Sequence, residues 1–454
     1  MEERTSDSRA LLRPLVRVLL GALLLAAVAR ADRPIEEVEE RGWDFKATPV
    51  EREALAENVW RATGVSNAYI VQTLDGAVVI DTGSGHQAER VMALLESAVE
   101  GPVRMLILTH AHGDHVGGAK LWLAKYPTAT LVTHENFVAM QHELQVLAPF
   151  FARRGAKILP QLVAASRRAR KQGPAFEYGG LEPTRLIDDD EPQTIEIGST
   201  RFELIGLPAG EGRDGLGVWL PEQKILFSGD MTGPHFPMFP NLYSIRGERY
   251  REFLPYVASL DRALKLEPEI IAHGHFDVIR GHDYIQRALR RMRDAVQYVH
   301  DAVVSGMNAG KGLPELMREI ELPPELKLSH GYGKVSWSVR GLWETYTGWF
   351  DFASTTSLYP VPASDIYGDL VAAAGGPGPI LETARRYHER REPVRALHLI
   401  EVAEAAKSPP LELKALKRQV LVSLRERAVR NGNNFMEVAW LDARIAELPG
   451  PNQQ

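Results

Sequence analysis

Three histidines and an aspartate crowd into six residues directly after residues 103–108, an apolar run of strand length. Imidazoles gain nothing from such crowding unless something holds them, whereas zinc and similar cations favour neutral imidazole and carboxylate ligands. His110 and His112 lie two residues apart and can point to one side. Asp114 and His115 can face a second point nearby, because the glycine before them permits a tight bend. This segment therefore predicts a metal site with two positions at the end of a strand.

A pair of metal ions needs further ligands, and three later stretches offer them. Asp230 ends an apolar run, and a carboxylate there could bridge two cations because each oxygen can serve one metal. Glu211 lies in a glycine-rich bend, and His273 and His275 follow another apolar run. Taken singly, these residues could equally be a turn-forming acid, a solvated glutamate and packed histidines. On the residue pattern alone they are candidate ligands.

Up to about residue 290, short strands alternate with helices. Residues 67–73 and 77–80 are strand-like runs separated by Asp75-Gly76, a pair that favours a hairpin turn, and residues 87–99 have a helical pattern. Further strands are predicted at residues 201–205, 216–220, 224–227 and 269–272. Strands interleaved with helices indicate a layered sandwich of sheets and helices, which we place in the α+β class.

The character of the chain changes after residue 290. Residues 340–352 are dense in aromatic side chains, and a cluster of glycine and proline follows at residues 375–379. Leu413, Leu416, Val420 and Leu424 share one helical face. We therefore predict a hydrolase-type domain at 32–290, a connecting region at 291–365 and an all-α domain at 366–454. The aromatic residues could form a core or interface that joins the helical domain to the hydrolase domain, or a substrate wall for an alkyl or aryl tail, and for most of them we favour the core; they are Trp337, Trp343, Tyr346, Trp349, Phe350 and Phe352.

Composition narrows the classes of function. The chain of 454 residues is long enough for two domains, and 25% charged with 44% hydrophobic residues is typical of a globular protein. The net charge of -6 gives no argument for binding nucleic acid or an anionic membrane. Because there are no cysteines, disulfides, thiolate metal sites and cysteine nucleophiles are excluded. Any metal ion must be held by histidine and carboxylate side chains.

The N-terminus has the pattern of a secretory signal peptide. Arg13 and Arg17 precede an apolar run at residues 18–28, and Ala29-Arg30-Ala31 then forms a small-x-small site, so we expect cleavage after Ala31. As a helix the apolar run would rise about 16 Å, which is short of the roughly 30 Å hydrocarbon core. An uncleaved membrane anchor is the alternative. With cleavage of residues 1–31 we expect a periplasmic or secreted protein without stable membrane association.

Several short motifs occur in an order that resembles the metallo-β-lactamase superfamily. They are Asp81-Thr82-Gly83, the histidine-rich run from His110 to His115, Gly229-Asp230 and the late Gly274-His275. When residues 208–230 are laid on the usual third and fourth motifs of that superfamily, Glu211 falls where a zinc-binding histidine normally stands. That exchange resembles the alkylsulfatase branch, as do residues 241–247 and 332–351. The resemblance implies an αββα sandwich followed by an all-α domain similar to the alkylsulfatase dimerisation domain, and hence a homodimer.

The resemblance also implies a binuclear zinc site with two Zn²⁺ per chain. One zinc would be held by His110, His112 and Glu211. The other would be held by Asp114, His115 and His275, with Asp230 and a water between the ions. His275 is preferred because the last ligand of the superfamily follows a glycine, and His273 and Asp81 then have supporting roles.

The implied activity is hydrolysis of a small-molecule ester, possibly an alkyl sulfate, by a metal-bound hydroxide. Asp114 and Asp230 are the predicted catalytic acids, and Arg246 and Asn241 the predicted contacts to the sulfate, since guanidinium offers a planar fork of donors. Two departures weaken the sulfatase reading. Alkylsulfatases tend to carry glutamate at the position of Asp230, and within these 454 residues no segment resembles the lipid-carrier-like C-terminal domain of the long enzymes. A β-lactamase, lactonase, thioesterase or phosphodiesterase is the alternative, and a scaffold with a relict site a third.

Overall fold

The computed structural model describes residues 49–160, 163–164, 167–168, 171, 179–248, 251–350 and 352–449. The predicted signal peptide at residues 1–31 lies outside this part of the chain. Within it, two β-sheets are stacked face to face and helices cover their outer faces. Among the described residues, no helix is both long enough and apolar enough to cross a membrane.

The first sheet has seven strands in the order β1 to β7, of which β1–β4 pair antiparallel and β4–β7 pair parallel. Its strands are β1 Arg52–Ala56, β2 Val59–Ala62, β3 Ala68–Thr73, β4 Gly76–Ile80, β5 Val103–Ile107, β6 Thr130–His134 and β7 Arg185–Ile187. The hairpin predicted around Asp75-Gly76 is the β3–β4 connection.

The second sheet has six strands in the order β13-β12-β11-β10-β9-β8. Only β11 and β12 pair parallel, and the other neighbours are antiparallel. The strands are β8 Gln193–Ile197, β9 Thr200–Gly206, β10 Leu216–Leu220, β11 Ile225–Gly229, β12 Ile270–His273 and β13 Ile279–Arg280. The strands that the sequence predicts between residues 201 and 272 all form, with ends shifted by at most two residues.

Along the chain, helices lie between the strands of the sandwich and continue through the connecting region. They are α1 Ala88–Glu96, α2 Gly113–Val116, α3 Ala119–Lys125, α4 Phe137–Gly155, α5 Phe253–Lys265, α6 His282–Asn308, α7 Leu313–Glu319 and α8 Val335–Thr347. The C-terminal helices are α9 Tyr367–Ala373, α10 Pro377–Glu389, α11 Pro393–Ala403, α12 Leu411–Arg430 and α13 Phe435–Ala446.

Alternation of side chains along the strands builds three hydrophobic layers. Val78 and Ile80 of β4 point between the sheets, where Phe227 of β11 meets them, while Ala77 and Val79 face the other side and pack with α1 and α3. The outer face of the second sheet packs in the same way against α5 and α6. The order helix, sheet, sheet, helix confirms the predicted αββα sandwich.

The C-terminal helices enclose a hydrophobic cluster of their own that starts at Val371. All four leucine and valine positions predicted to share a face of α12 are buried in it. The fold class, a mixed sandwich followed by a helical region, is therefore confirmed. The division predicted at residue 290, however, falls inside α6, whose residues from Ile285 to Val303 pack continuously on the sandwich.

The prediction for the aromatic segment is wrong. None of its six residues is buried, and only Trp343 packs against the core of the sandwich. Trp349 and Phe352 are 73% and 87% exposed. The apolar surface continues through two short 3₁₀ turns, Thr355–Leu358 and Ala363–Ile366, to α9. These aromatic side chains therefore form an exposed stretch. Other side chains of the strands and of α5, α6 and α8 already enclose the core.

Candidate metal centre

The ends of two parallel strand pairs bring the motifs together. In the first sheet β4 leads into Asp81 and β5 into His110, and in the second β11 leads into Asp230 and β12 into His275. Parallel strands present their carboxyl ends at the same edge, so residues distant in sequence converge there. The two edges are tied together by a hydrogen bond from the backbone N–H of Leu216 to the carbonyl of Thr109.

His115 lies at the centre of the cluster and is completely buried. Its Nδ1 is 2.8 Å from Asp81 Oδ2, and Asp81 also accepts hydrogen bonds from the backbone N–H and the hydroxyl of Thr109. These contacts direct the other ring nitrogen, Nε2, towards Asp230, whose Oδ1 is 3.3 Å away. Asp81 thus has the orienting contact that the sequence led us to expect.

One group of donor atoms surrounds His115 and His275. His275 donates from Nδ1 to the carbonyl of Val65, and its Nε2 lies 3.0 Å from Asp230 Oδ2 and 3.5 Å from Asp114 Oδ2. Donor atoms of Asp114, His115 and His275 lie within 4.8 Å of one another, which is compatible with a shared cation.

A second group includes His110, whose ring centroid is 4.2 Å from that of His115. His110, His115 and Asp230 also have donor atoms within 4.8 Å of one another. His110 Nε2 is 3.1 Å from His112 Nδ1, and that nitrogen is 3.6 Å from Glu211 Oε2. The seven predicted ligands therefore converge in one place, with Asp230 between the two groups.

Two observations fit these residues to cations. His115 Nε2 and Asp230 Oδ1 are buried and have no hydrogen-bond partner, although they face each other. Gly274 keeps the space beside them open, since a Cβ there would lie 1.8 Å from Asp230 Oδ1 and 2.7 Å from His115 Cε1. An unpartnered buried donor set of imidazole and carboxylate in such a cradle suits divalent ions such as zinc.

Electrostatics divide the histidines into two kinds. Burial, reinforced by the neighbouring imidazoles, holds the pKa of His110 well below its usual value, so its ring is neutral. Burial also opposes charge on His115, but Asp230, Asp114 and Asp81 outweigh it and hold its pKa well above the usual value. The pKa of Asp230 is correspondingly held low by His275 and His115 against the effect of burial. Without a cation, a proton on His115 balances the carboxylates.

His273 has a different environment from His275. Its Nδ1 is 2.6 Å from the carbonyl of Gly233 and its Nε2 is 2.8 Å from the carbonyl of Asp277. Both ring nitrogens are therefore occupied by backbone oxygens, and His273 ties the β12 end to the neighbouring loops.

Arg251, Tyr332 and Glu248 lie near Glu211, and none of them was predicted as a site residue. Arg251 donates from Nη2 to Glu211 Oε2, and Tyr332 donates from its hydroxyl to Glu211 Oε1 over 2.7 Å. Arg251 also lies 3.2 Å from Glu248 Oε2, and that oxygen is 3.9 Å from His112 Nε2. Tyr332 belongs to a segment that carried the family resemblance, which could have drawn attention to it. Arg251 and Glu248 stand in no motif.

The helical tail contacts this part of the site. Asn434, completely buried, donates over 2.9 Å to the carbonyls of His330 and Tyr332, and Phe435 stacks on the Tyr332 ring at 6.0 Å. The start of α13 thereby fixes the tyrosine that holds Glu211.

The predicted substrate contacts lie on the loop after β11. Asn241 is buried, and its backbone carbonyl accepts from Arg251 over 2.8 Å. The side chain of Arg246 is 31% exposed, lies 3.5 Å from Glu248 Oε2, and has a buried Nε without a hydrogen-bond partner. Arg154 at the end of α4 donates to the carbonyls of Ile245 and Arg246 and so supports the loop.

Two family models match this chain. The model described as metallo-beta-lactamase superfamily matches residues 61–275, which contain every predicted metal ligand. The model described as alkyl sulfatase dimerisation matches residues 313–436.

Curated relatives agree with both matches. A linear primary-alkylsulfatase from a Pseudomonas species is 28% identical over 339 residues, which are 69% of this chain and 62% of the relative. The alkyl/aryl-sulfatase BDS1 of Saccharomyces cerevisiae is 24% identical over 361 residues, 74% of this chain and 55% of the relative. The chain thus matches less than two thirds of the length of either relative.

Solved structures show the same fold over nearly the whole chain. A double mutant of the sec-alkyl sulfatase PisA1 superposes with a TM-score of 0.73 at 18% identity, covering 98% of this chain and 78% of that one. The stereoselective inverting sec-alkylsulfatase Pisa1 from Pseudomonas sp. gives 0.72 at 20% identity, covering 89% and 66%. From its motifs, sandwich and matched models, the chain has a metallo-β-lactamase superfamily domain at residues 61–275, followed by an alkyl sulfatase dimerisation domain at residues 313–436.

Proposed function

We propose that this protein is a binuclear metal-dependent hydrolase that cleaves sulfate esters of the alkyl sulfate class. The observation that carries the proposal is the position of Glu211, a carboxylate, beside His110 and His112 in the metal cluster. The named sulfatase activity of the two curated relatives supports the same substrate class.

The seven converging side chains form two ligand sets. His110, His112 and Glu211 would hold one ion, and Asp114, His115 and His275 the other, with Asp230 between them. Because the donors are nitrogen and carboxylate oxygen without thiolate, zinc fits, and manganese or iron would be accepted as well. When bound, a pair of divalent cations polarises the ester and lowers the pKa of a water towards about 7.

The residues of the chain supply orientation and proton transfer. Asp81 fixes the ring of His115, and the Val65 carbonyl fixes the ring of His275. Asp114 is the most accessible carboxylate of the set, since 33% of its side chain is exposed, so it can accept a proton from an entering water. Asp230 is almost fully buried between two histidines and stays ionised, so it would help to position the attacking water.

Arg246 is the residue best placed to bind the sulfate group. Its side chain is 31% exposed and carries a planar fork of N–H donors, so its accessible end can donate to an anionic oxygen. Asn241, which lies in the same loop, would add a neutral donor. Arg154 and Arg251 donate hydrogen bonds to backbone carbonyls of this loop. They thereby hold Arg246 and Asn241 in place relative to the metal cluster.

A second candidate keeps the metals and changes the bond that is cleaved. Asp230 is the bridging acid of the wider superfamily, which favours a lactamase, lactonase, thioesterase or phosphodiesterase, because one fold hosts many reactions. The test is to compare release of sulfate from C8–C12 alkyl sulfates with hydrolysis of a cephalosporin, a lactone and a phosphodiester. We expect the alkyl sulfates to give the highest kcat/KM. Preference for any other ester would overturn the sulfatase proposal, and the double variant His110→Ala with His112→Ala serves as the inactive control.

We also propose that the protein is a homodimer and acts outside the cytoplasm. The dimerisation-type match at 313–436 includes the exposed apolar stretch from Trp349 to Leu370, which water-facing surfaces of monomers rarely display. Export rests on the basic and apolar pattern of residues 1–31.

A further inference from the structure

The two ligand sets differ in the charge that surrounds them. Among the described residues, Asp114 and Asp230 have histidines as their only basic partners within 4.0 Å. Glu211 instead pairs with the guanidinium of Arg251, which is fully buried in its side chain. Apart from Asp230, which lies between the sets, one set therefore offers Asp114, a carboxylate without an arginine partner among the described residues, and the other offers Glu211, whose charge is already balanced by Arg251.

Hydrogen bonds add to this difference. Both oxygens of Glu211 are occupied, Oε2 by Arg251 and Oε1 by Tyr332. Asp230 Oδ1, by contrast, is buried without a hydrogen-bond partner. A cation at the His110–His112–Glu211 set must share the carboxylate with two donors, whereas Asp114 Oδ2 in the other set has, among the described residues, only the ring nitrogens of His275 and His115 nearby, at 3.5 and 3.8 Å.

A cluster of three charged residues, Arg246, Glu248 and Arg251, lies beside the His110–His112–Glu211 set. Arg246 and Arg251 both contact Glu248, whose Oε2 is 3.9 Å from His112 Nε2. Among the described residues on this side, the formal charges of two guanidiniums and of the carboxylates of Glu211 and Glu248 therefore cancel. A divalent cation there gains little from the protein's field, because attraction to the carboxylates is offset by repulsion from the guanidiniums.

We infer that the two metal ions bind in sequence, first at Asp114–His115–His275 with Asp230, and more weakly at His110–His112–Glu211, and that the Arg246–Glu248–Arg251 cluster sets the affinity of the second step. This inference rests on the proposed binuclear site. Because Arg251 balances the charge of Glu211 and no arginine among the described residues pairs with Asp114, a separation of about tenfold or more between the steps is expected.

The measurement is zinc content per chain after dialysis of the full-length protein against zinc buffers of graded free concentration. We expect two separated steps for the unmodified protein. Asp114→Asn should remove the tighter step, and Glu211→Gln the weaker one. Two ions that load together, or loss of the tighter step in Glu211→Gln, would overturn the inference.

Two variants outside the ligand sets test the role of the charged cluster. Glu248→Gln removes one negative charge beside the His110–His112–Glu211 set, leaves the two guanidiniums in excess, and should weaken that step about 10- to 100-fold, the range seen for residues that support metal ligands. Arg246→Met removes a positive charge and should tighten the same step. Arg293→Met on α6, which breaks a surface pair with Asp261 of α5, is the control and should change neither step. Shifts of the same sign in both variants, or no shift, contradict the role given to the cluster.

The unmodified protein needs no variant to reveal the two steps, so a variant that fails to fold leaves the main test intact. Failure of this inference is also distinct from failure of the proposed function. Equal loading with release of sulfate would overturn only the sequence of binding, and stepwise loading without release of sulfate would overturn only the substrate.

Discussion

His115 Nε2 and Asp230 Oδ1 lie 3.3 Å apart, both buried and both without a hydrogen-bond partner. Buried polar atoms are almost always satisfied, so a pair left open at the meeting point of two sheets calls for a ligand. A cation between them would satisfy both atoms at once. The surrounding contacts keep the pair in place, and they can be tested separately.

Asp81 is the first of these supports. Asp81→Asn replaces the oxygen that accepts from His115 Nδ1 or from Thr109 with an amide that cannot accept, so the imidazole loses its fixed orientation. We expect zinc affinity to fall about 10- to 100-fold, the range typical of such orienting partners. Equilibrium dialysis with zinc measures it, and Asp75→Asn in the β3–β4 turn is the control. Unchanged affinity would show that the ring is held by packing alone.

Gly274 is the second support. Gly274→Ala would place a methyl group 1.8 Å from Asp230 Oδ1, so the carboxylate must move away from the cluster. Displacement of a catalytic group by 1 Å costs about 100-fold in rate, and we expect at least that loss in sulfate release. Gly378→Ala in α10, where a Cβ meets nothing within 4 Å, should leave the rate unchanged. Equal rates for the two variants would rule out close packing at Gly274.

The third prediction concerns pH and Glu248. Burial opposes ionisation of this carboxyl, but Arg246, His112 and Arg251 outweigh it and lower its pKa to about 2, from a usual value of 4.5. A carboxyl whose pKa is depressed in the folded state stabilises the fold above pH 4.5, and the stabilisation is lost as the pH falls towards 2. We place its size on the order of 3 kcal/mol.

Glu248→Gln should therefore destabilise the metal-free protein most at pH 5 to 7, and the difference from the unmodified protein should shrink as the pH falls below 4.5. Urea unfolding at several pH values measures this difference, with Glu252→Gln in a surface pair as the control. A difference that is constant with pH would contradict the assigned charge.

The exposed apolar stretch gives the fourth prediction. If it is the interface of a homodimer, Trp349→Asp combined with Phe352→Asp places two charges on it, and the mass in solution should fall to about half because buried unpaired charges oppose association. Light scattering after size exclusion measures the mass. Leu74→Asp, at an 85% exposed leucine on the β3–β4 turn, should leave the mass unchanged. A monomeric unmodified protein would refute the dimer.

Local patterns were sufficient to predict much of the fold. Strands such as β10, Leu216–Leu220, and the buried face of α12 follow from the spacing of apolar residues, which reports directly on which side is buried. The convergence of His110, Asp230 and His275 could be predicted because each follows a strand, and parallel strands end at one edge. The domain division at residue 290 stays a prediction, and the structure adds that α6 keeps one buried face on both sides of it.

The surroundings of Glu211 could not be predicted from the sequence. Arg251 lies 40 residues from Glu211 and Tyr332 lies 121 residues from it, so no short spacing joins them. Buried ion pairs depend on which loops happen to meet, and that is decided by the packing of the whole sandwich. The exposure of Trp349 and Phe352 was missed for a related reason, since aromatic composition does not say which face is covered.

The most direct test of the central claim is a crystal structure of the protein loaded with zinc and soaked with sulfate, with anomalous scattering measured at the zinc edge. We predict two anomalous peaks, one among His110, His112 and Glu211 and one among Asp114, His115 and His275, with Asp230 between them and a sulfate oxygen on Arg246. Zinc bound elsewhere, or no zinc among these seven side chains, would contradict the account.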